Sequence, residues 1–535
     1  MAFLDWLLIG FYMVAMIGLS VYLGRGQSNQ ADYYLGGRDL PWWAVGISTM
    51  ATQTSAISFM SIPAFVALKP GGGLTWLQYE LAVPLAMIGV AMFLLPFFRQ
   101  LELISVYRYL ELRFGPSVRT LVSAVFLISR ALGTGVGLYA SAIVLTVILG
   151  IPIWSTILLM GVVTVIYDTI GGMKAVVYSD VIQSVILLLG IFFCIFFALE
   201  MVEGTDAIME TVDAQRWRAL DAAHGLGDGS QTPFWGFLVG GLFLYMAYYG
   251  TDQSQVQREL STSSLEDTRR SLYLNGFARF PLTLLYVFMG LCLGAAYAVS
   301  TGLQADVPLE HLDYLVPSFI LLHLPAGVRG ILVAALLAAA MSSLDSALNS
   351  LSAATMRDFV ERKRQLSDRQ SLIWGKVTTV AWGAVITGFA FVVGGISDTV
   401  IESINKIGSA FYGPILAAFL VGVLSRTATA PGIISGVLAG VGFNIVLWIG
   451  FPAVFWMWWN FFGLVVAVLV TYGVSRFTEP CAPEQIERYT LGGSGFFRAE
   501  RIWRKAYGFL VLWFFALLAL LFGLNRFSES VMPVV

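Results

Sequence analysis

The sequence has little charge and few of the residues that usually carry catalysis or bind transition metals. Of its 535 residues 12% are charged and 58% are hydrophobic, whereas about 25% are charged in an ordinary soluble domain. Its three cysteines have no metal-binding or redox spacing, and its three histidines all fall in predicted loops. A net charge of -2 provides no basic surface, so no nucleic-acid partner is expected. The composition indicates a polytopic helical membrane protein.

Apolar runs of about twenty residues predict about fourteen transmembrane helices. Arginine and lysine are concentrated in alternate loops, and Arg258 is counted in one of them. The positive-inside rule places these loops in the cytoplasm and both termini outside. The acidic loop 200–232 then lies outside. The predicted spans are 3–23, 42–68, 76–98, 117–149, 153–168, 176–199, 233–257, 271–300, 327–357, 370–395, 400–424, 428–449, 454–476 and 504–525.

Two of these spans are interrupted by polar residues. The second contains "STMATQTSAISFMSIPA" and the seventh contains "YYGTDQSQVQ". Each is the first helix of a five-span block, 42–199 or 233–424. Broken helices in matching positions of two halves indicate the binding site of a secondary transporter, because the carbonyls freed by the break must line a cavity or bind an ion. The alternative is that glycine and serine there only permit close helix packing.

A third polar segment, "AAAMSSLDSALNS" at 338–350, lies inside an apolar span. Read as a helix, it places an alanine and three serines on one face, at spacings of +3, +4 and +7: Ala339, Ser342, Ser343 and Ser346. Ser343 and Asp345 lie on opposite flanks of that face. Hydroxyl and carbonyl oxygens suit a hard cation such as Na⁺. The alternative is that each serine bonds back to a carbonyl one turn earlier.

Four segments carry a resemblance to a known family: "MSSLDSALNS", "TDQSQVQR", "YDTIGGMKAVVYSDVIQ" and "FYGPILAAF". The chain resembles the sodium/solute symporters, which include sodium–glucose cotransporters and bacterial sialic acid and proline symporters. The likeness covers about 1–480 and implies the all-α, leucine-transporter-like fold with a five-plus-five inverted repeat. The implied divisions are 1–41 (an extra helix and cytoplasmic loop), 42–199 (first repeat), 200–232 (extracellular loop), 233–424 (second repeat) and 425–535 (three additional helices).

The resemblance implies ligands for sodium. The main site would use the carbonyls of Ala51, Thr54 and Ala339 and the hydroxyls of Ser342 and Ser343. A second site, present in some members, would fall on Asp180, Ser342, Asp345 and Ser346. Two positions depart from the family pattern, because Asp345 and Asp168 stand where a hydroxyl residue is common.

The resemblance also implies a substrate cavity, with Tyr248 as an inner gate. Lys406 departs from the glutamine of glucose-type members. A buried lysine or arginine costs about 2.5–3.5 kcal/mol. Either these charges neutralise one another in pairs, or one cation is left for an anionic solute group. The implied substrate residues are Gln53, Ser55, Ser58, Glu80, Tyr245, Tyr248, Arg279 and Lys406, with Arg130 and Asp252 as possible additions.

The function expected from these features is Na⁺-coupled import of a small polar solute by alternating access. The solute would be a sugar, sugar acid or other carboxylate, carried with one or two Na⁺ by a monomer in a bacterial inner membrane. One alternative is proton coupling, which Asp180 and Asp345 could serve. Others are an amino acid or monocarboxylate as solute, or a membrane sensor. An enzyme is not expected, since no intramembrane histidine cluster or catalytic dyad is found.

Overall fold

The computed structural model describes residues 1–25, 30–54, 56–228, 232–362, 364–393, 396, 399–491 and 502–531. Within these ranges the side chains of residues 30, 167–171, 338, 342, 368 and 531 are not described. The described part of the chain is helical, with one isolated bridge between Leu40 and Thr262. Helices are expected for such an apolar chain, because a lipid environment requires each segment to satisfy its own backbone hydrogen bonds.

Within the described ranges, twenty-two α-helices follow one another, joined by short 3₁₀ and π segments. The α-helices are α1 (Phe3–Leu23), α2 (Gln30–Leu35), α3 (Trp42–Gln53), α4 (Ala56–Leu68), α5 (Val83–Phe93), α6 (Leu95–Gln100), α7 (Arg108–Phe114), α8 (Pro116–Leu149), α9 (Ile153–Met201), α10 (Thr205–Thr211), α11 (Gly241–Thr251), α12 (Gln253–Glu259), α13 (Leu265–Val299), α14 (Thr301–Asp306), α15 (Leu315–His323), α16 (Val328–Thr355), α17 (Asp368–Ala390), α18 (Val400–Leu424), α19 (Ala430–Gly450), α20 (Trp458–Ser475), α21 (Pro483–Tyr489) and α22 (Arg504–Val531). The 3₁₀ helices are Gly36–Arg38, Leu74–Glu80, Ala214–Trp217 and Leu312–Tyr314, and the π-helices are Gly236–Gly240 and Met356–Val360.

Eleven helical segments in the described ranges are long and apolar enough to cross a membrane, and the bent pair α3–α4 makes twelve. Each of the fourteen predicted spans coincides with helical structure. Apart from the span of the bent pair, two of them contain, among the described residues, no single helical segment that is long enough to cross a membrane. Span 153–168 contains the shorter apolar helix Ile153–Ile166, and span 233–257 is divided between α11 and α12. The count of fourteen therefore stays a prediction.

Both expected breaks are present. The axes of α3 and α4 differ by 49°, and Thr54 ends α3 in a non-helical conformation. Asp252 separates α11 from α12 with extended backbone angles, and its side chain accepts a hydrogen bond from the Ser254 amide. Asp252 is thus the N-cap of α12, and it satisfies a backbone donor that the break exposes.

A sharp turn at Gly172 divides α9 into the two spans predicted at 153–168 and 176–199. Gly172 has φ 66° and ψ -179°, a combination that is essentially restricted to glycine because it has no Cβ. A single unbroken helix of this length would be too long for one membrane crossing. The glycine therefore makes two spans out of one apolar run.

Helix α16 lies at the centre of the molecule, and 88% of its apolar 18-residue stretch is buried. It packs against α1, α8 and α9, while α18 packs against α8 and α11, and α13 against α3 and α4. Asp5 of α1 accepts hydrogen bonds from the Gly327 amide (2.8 Å) and from Arg329 Nε (2.9 Å) at the start of α16. The two broken helices, α8, α16 and α18 thus surround a common interior.

Candidate functional site

A cavity of about 940 Å³, including its mouth, lies among the broken helices, α8, α13, α16 and α18. The structure places seven of the residues selected from the sequence on its wall: Gln53, Ser58, Glu80, Arg130, Tyr248, Arg279 and Ser343. Three of the wall residues are charged, and the environments of the two cations differ.

Arg279 forms a two-point ion pair with Glu80, while its Nη1 has no hydrogen-bond partner among the described residues. Arg279 Nε lies 3.3 Å from Glu80 Oε2, and Nη2 bonds to Oε1. Thr283 and Tyr245 also donate to this carboxylate, each at 3.1 Å. Tyr245 therefore lies behind Glu80 and not on the cavity wall. This pair supports the interpretation in which buried charges neutralise one another, because every Glu80 oxygen has two donors.

The ion pair of Arg130 is longer than that of Arg279. Its Nη1 lies 3.4 Å from Asp252 Oδ2, and its Nε has no hydrogen-bond partner among the described residues. The other oxygen of Asp252 accepts from the amide and the hydroxyl of Ser254, at 2.9 and 2.6 Å. Asp252 therefore serves both the helix cap and the cation. A guanidinium has five donors, so Arg130 keeps donors that an anion in the cavity could use.

The residues expected to bind the main sodium ion lie on helices that contact one another, α3 and α16. Ser343 faces the cavity and donates to the Ala339 carbonyl at 3.2 Å, which is the back-bonding considered as the alternative. A hydroxyl that donates keeps its own lone pairs, and a carbonyl that accepts one hydrogen bond keeps a second lone pair. The Ser343 hydroxyl and the Ala339 carbonyl therefore both remain suited to Na⁺. Ala51 and Thr54 lie at the broken end of α3, and the side chain of Ser342 lies outside the described atoms.

An arginine occupies the region expected to hold a second sodium ion. Arg258 Nη2 lies 3.5 Å from Asp180 Oδ2 and also bonds to the Ser346 hydroxyl. Ser48 donates to the same Asp180 oxygen at 2.5 Å and accepts from Arg258 Nε at 3.0 Å. Counting Arg258 as a cytoplasmic loop charge was wrong, since its side chain is fully buried at the end of α12. Asp345, next to Ser346, is buried as well.

Lys406 is not on the cavity wall. The wall residues of α18 recur at intervals of three or four, as one face of a helix requires. Lys406 is about 100° away from its neighbour Asn405 around the helix axis. The wall residues of α18 are Ile401, Ile404, Asn405, Gly408 and Tyr412. Ser55, also expected in the cavity, lies outside the described residues.

The aromatic and polar wall residues that were missed from the sequence include Tyr79, Asn405 and Tyr412, whose side chains contact those of other wall residues. The Tyr79 hydroxyl donates to Asn405 Oδ1 at 2.9 Å, and both side chains face the cavity. The ring of Tyr412 lies 6.1 Å from that of Tyr248, whose hydroxyl accepts from Gln255 at 2.8 Å. Each of these three residues had a signal, because Tyr79 and Asn405 adjoin selected residues and Tyr412 falls within "FYGPILAAF".

Comparison with known proteins gives a consistent result. The profile of the Sodium:solute symporter family matches residues 33–440. Human sodium-coupled monocarboxylate transporter 1 is 31% identical, over 84% of this chain and 73% of the relative. The human sodium/iodide cotransporter is 29% identical, over 82% and 68%. The structure of a substrate-bound, outward-open Na⁺-coupled sialic acid symporter superimposes with a TM-score of 0.80 at 26% identity, covering 90% of this chain and 99% of that one.

Proposed function

The chain belongs to the sodium:solute symporter family and imports a solute by coupling to sodium, and on that premise we propose that the solute is a small organic anion with a carboxylate group. The observation that carries this proposal is Arg130. It lies on the cavity wall with its Nη1 3.4 Å from Asp252, and its Nε has no hydrogen-bond partner among the described residues. A carboxylate can accept two parallel hydrogen bonds from a guanidinium.

The charges on the cavity wall favour an anion. Arg130 and Arg279 are cations, and Glu80 is the wall residue that opposes them. Glu80 is already used by Arg279, Thr283 and Tyr245. A neutral sugar would leave Arg130 incompletely satisfied in a desolvated site, which is costly. Three of the relatives are named for monocarboxylates, iodide or sialic acid, which are acids or anions, and another is named for the neutral sugar glucose.

We propose that one sodium ion accompanies each solute, bound by Ala51, Thr54, Ala339, Ser342 and Ser343. The second sodium site would be filled permanently by the guanidinium of Arg258, which neutralises Asp180 and bonds to Ser346. The same pair disfavours proton coupling through Asp180, because a neighbouring guanidinium stabilises the ionised carboxylate.

The proposed architecture is the five-plus-five inverted repeat over 42–199 and 233–424, with fourteen spans and both termini outside. The matching breaks at Thr54 and Asp252 support the repeat. Arginine-rich loops support the orientation. The proposed location is a plasma membrane, as in a bacterial inner membrane, and the proposed working unit is a monomer.

Replacing Arg130 tests the proposal. In proteoliposomes with an inward sodium gradient, the wild type should accumulate radiolabelled lactate and not glucose. Arg130→Gln should raise the KM for lactate by about 10- to 100-fold, because a hydrogen bond to a charged group contributes about 1.5–3 kcal/mol. Arg130→Lys should recover part of this loss, since it restores the charge but not the paired donors.

Lys406→Gln is the matched control, because it removes a cation of α18 that is not on the cavity wall. Its KM for lactate should stay near the wild-type value. If lactate uptake by Arg130→Gln equals that of the wild type, Arg130 does not bind the solute. If glucose is accumulated and lactate is not, the solute class is wrong.

A further inference from the structure

A buried carboxylate joins three elements beyond one end of the solute cavity. Asp313, in the 3₁₀ helix Leu312–Tyr314, accepts a hydrogen bond from the Val400 amide at 2.8 Å and another from the Ser61 hydroxyl. Ser61 in turn accepts from the Ile401 amide at 3.3 Å. The side chain of Asp313 thus ties the loop after α14 to α4 and to the first turn of α18.

An ion pair ties the same two helices beside Asp313. Lys69, directly after α4, lies 2.8 Å from Glu402 of α18, and both side chains are largely buried. Thr399, the N-cap residue of α18, donates to the same Glu402 oxygen at 2.9 Å. Together these contacts fix the end of α4 against the start of α18.

The contacts lie directly beyond the cavity wall. Ile62 and Ile401 line the cavity, and they are the neighbours in sequence of Ser61 and Val400. A separation of α4 from α18 at this junction would break the Asp313 bonds. The positive-inside rule places this end outside the cell.

We propose that Asp313 is a positioning residue that holds the outer gate closed and makes its opening sensitive to external pH. It touches neither solute nor sodium. Its two acceptor oxygens are matched to one hydroxyl and one amide across the junction. A carboxylic acid can keep both contacts, because its hydroxyl can donate to Ser61 while its carbonyl accepts from Val400.

The direction of the pH effect follows from burial. Burial raises the pKa of Asp313 to about 6 in the closed form, although Ser61, Val400 and Lys69 act in the opposite direction and Glu402 adds to the increase. With the gate open, solvent would return this pKa to an ordinary value of about 3.9. The closed form therefore binds the proton more tightly. Acidification from pH 7 to 5 should favour the closed form by about tenfold.

Other titratable groups adjoin the same junction. Tyr139, Glu310, His311 and Tyr314 line a small pocket with Asp313. Glu310 and His311 are exposed, while Asp313 is 5% exposed. A variant of Asp313 must therefore be compared with a variant of one of these neighbours.

The test measures gate opening without any solute. A cysteine at Ile404, on the cavity wall, is labelled in intact cells with a membrane-impermeant thiosulfonate at external pH 5–7. Its rate is divided by that of a cysteine at exposed Leu309, which corrects for thiol ionisation. In the otherwise wild-type protein this ratio should fall about tenfold from pH 7 to 5.

Asp313→Asn keeps an acceptor and a donor but cannot titrate, so its ratio should not change with pH. Glu310→Gln should keep the wild-type pH dependence. Ser61→Ala removes a bond that favours the charged carboxylate. The midpoint pH of the fall in its labelling ratio should therefore be higher than in the wild type. A pH step that persists in Asp313→Asn overturns the proposal. If that variant does not reach the membrane, an unmoved midpoint in Ser61→Ala overturns it.

Discussion

Two interior arginines differ in how fully their hydrogen-bonding capacity is used. Arg258 bonds to Ser48, Ser254, Ser346 and Asp180, and its side chain is completely buried. Arg130 faces the cavity with its Nη1 3.4 Å from Asp252, and its Nε has no partner among the described residues. Burying either cation is expensive. The first arrangement is that of a fixed structural cation, and the second supports the proposed role of Arg130 in binding the solute.

The paired serines of α16 should determine the affinity for sodium. Ser342→Ala or Ser343→Ala should raise the sodium concentration for half-maximal uptake by about 5- to 10-fold, because each removes one polar contact worth about 1 kcal/mol. Sodium titration of initial uptake rates measures this. Ser350→Ala is the control, since its hydroxyl also bonds back within α16, to Ala347 at 2.8 Å. If all three variants behave alike, the assignment to sodium fails.

At the scale of the helices, the interruptions place polar groups at the cavity. The break between α3 and α4 places Gln53 and Ser58 on the cavity wall, and the break at Asp252 provides the partner of Arg130. The turn at Gly172 instead separates two spans of α9. Each interruption needs a local sequence that a continuous apolar helix would not contain.

Gly172→Ala should weaken the fold without altering the cavity. Its φ of 66° with ψ of -179° is costly for any residue with a Cβ, by about 1–3 kcal/mol. Thermal unfolding of the purified protein in detergent should show a lower melting temperature than the wild type. Gly10→Ala, in an open part of α1 with nothing within 4 Å of the added Cβ, should melt like the wild type. Equal melting of the Gly172 variant would show that the turn is not constrained.

The sequence predicts the helices and their breaks better than it predicts side-chain neighbours. Apolar length fixes the spans, and polar insertions mark the breaks, because both follow from local composition. The placement of Lys406 depends on the rotation of α18, where one residue changes the direction by about 100°. From the sequence Arg258 was assigned to a loop, because a basic residue at the end of a predicted span is usually a loop charge. Its burial depends on α3 and α9, which contribute Ser48 and Asp180.

At the scale of the whole molecule, transport requires a closure on each side of the cavity. In the proposed scheme, the Asp313 contacts close one end. At the other end of α16, Arg119 of α8 bonds to Asp358 at 2.7 Å, and Ser105 and Ser123 donate to the same carboxylate. The proposed sodium and solute sites lie on the helices between these ties. Their binding energies are coupled reciprocally, so each raises the affinity for the other by the same factor.

The stoichiometry tests the account most directly, because one sodium ion and one monovalent carboxylate carry no net charge. Fluxes of ²²Na⁺ and radiolabelled lactate should be measured together in proteoliposomes while valinomycin and potassium set the membrane potential. We predict a flux ratio of one, with accumulation that follows the sodium gradient and does not change with the potential. A ratio of two, with uptake that increases as the interior becomes negative, would contradict the assignment of the second cation site to Arg258.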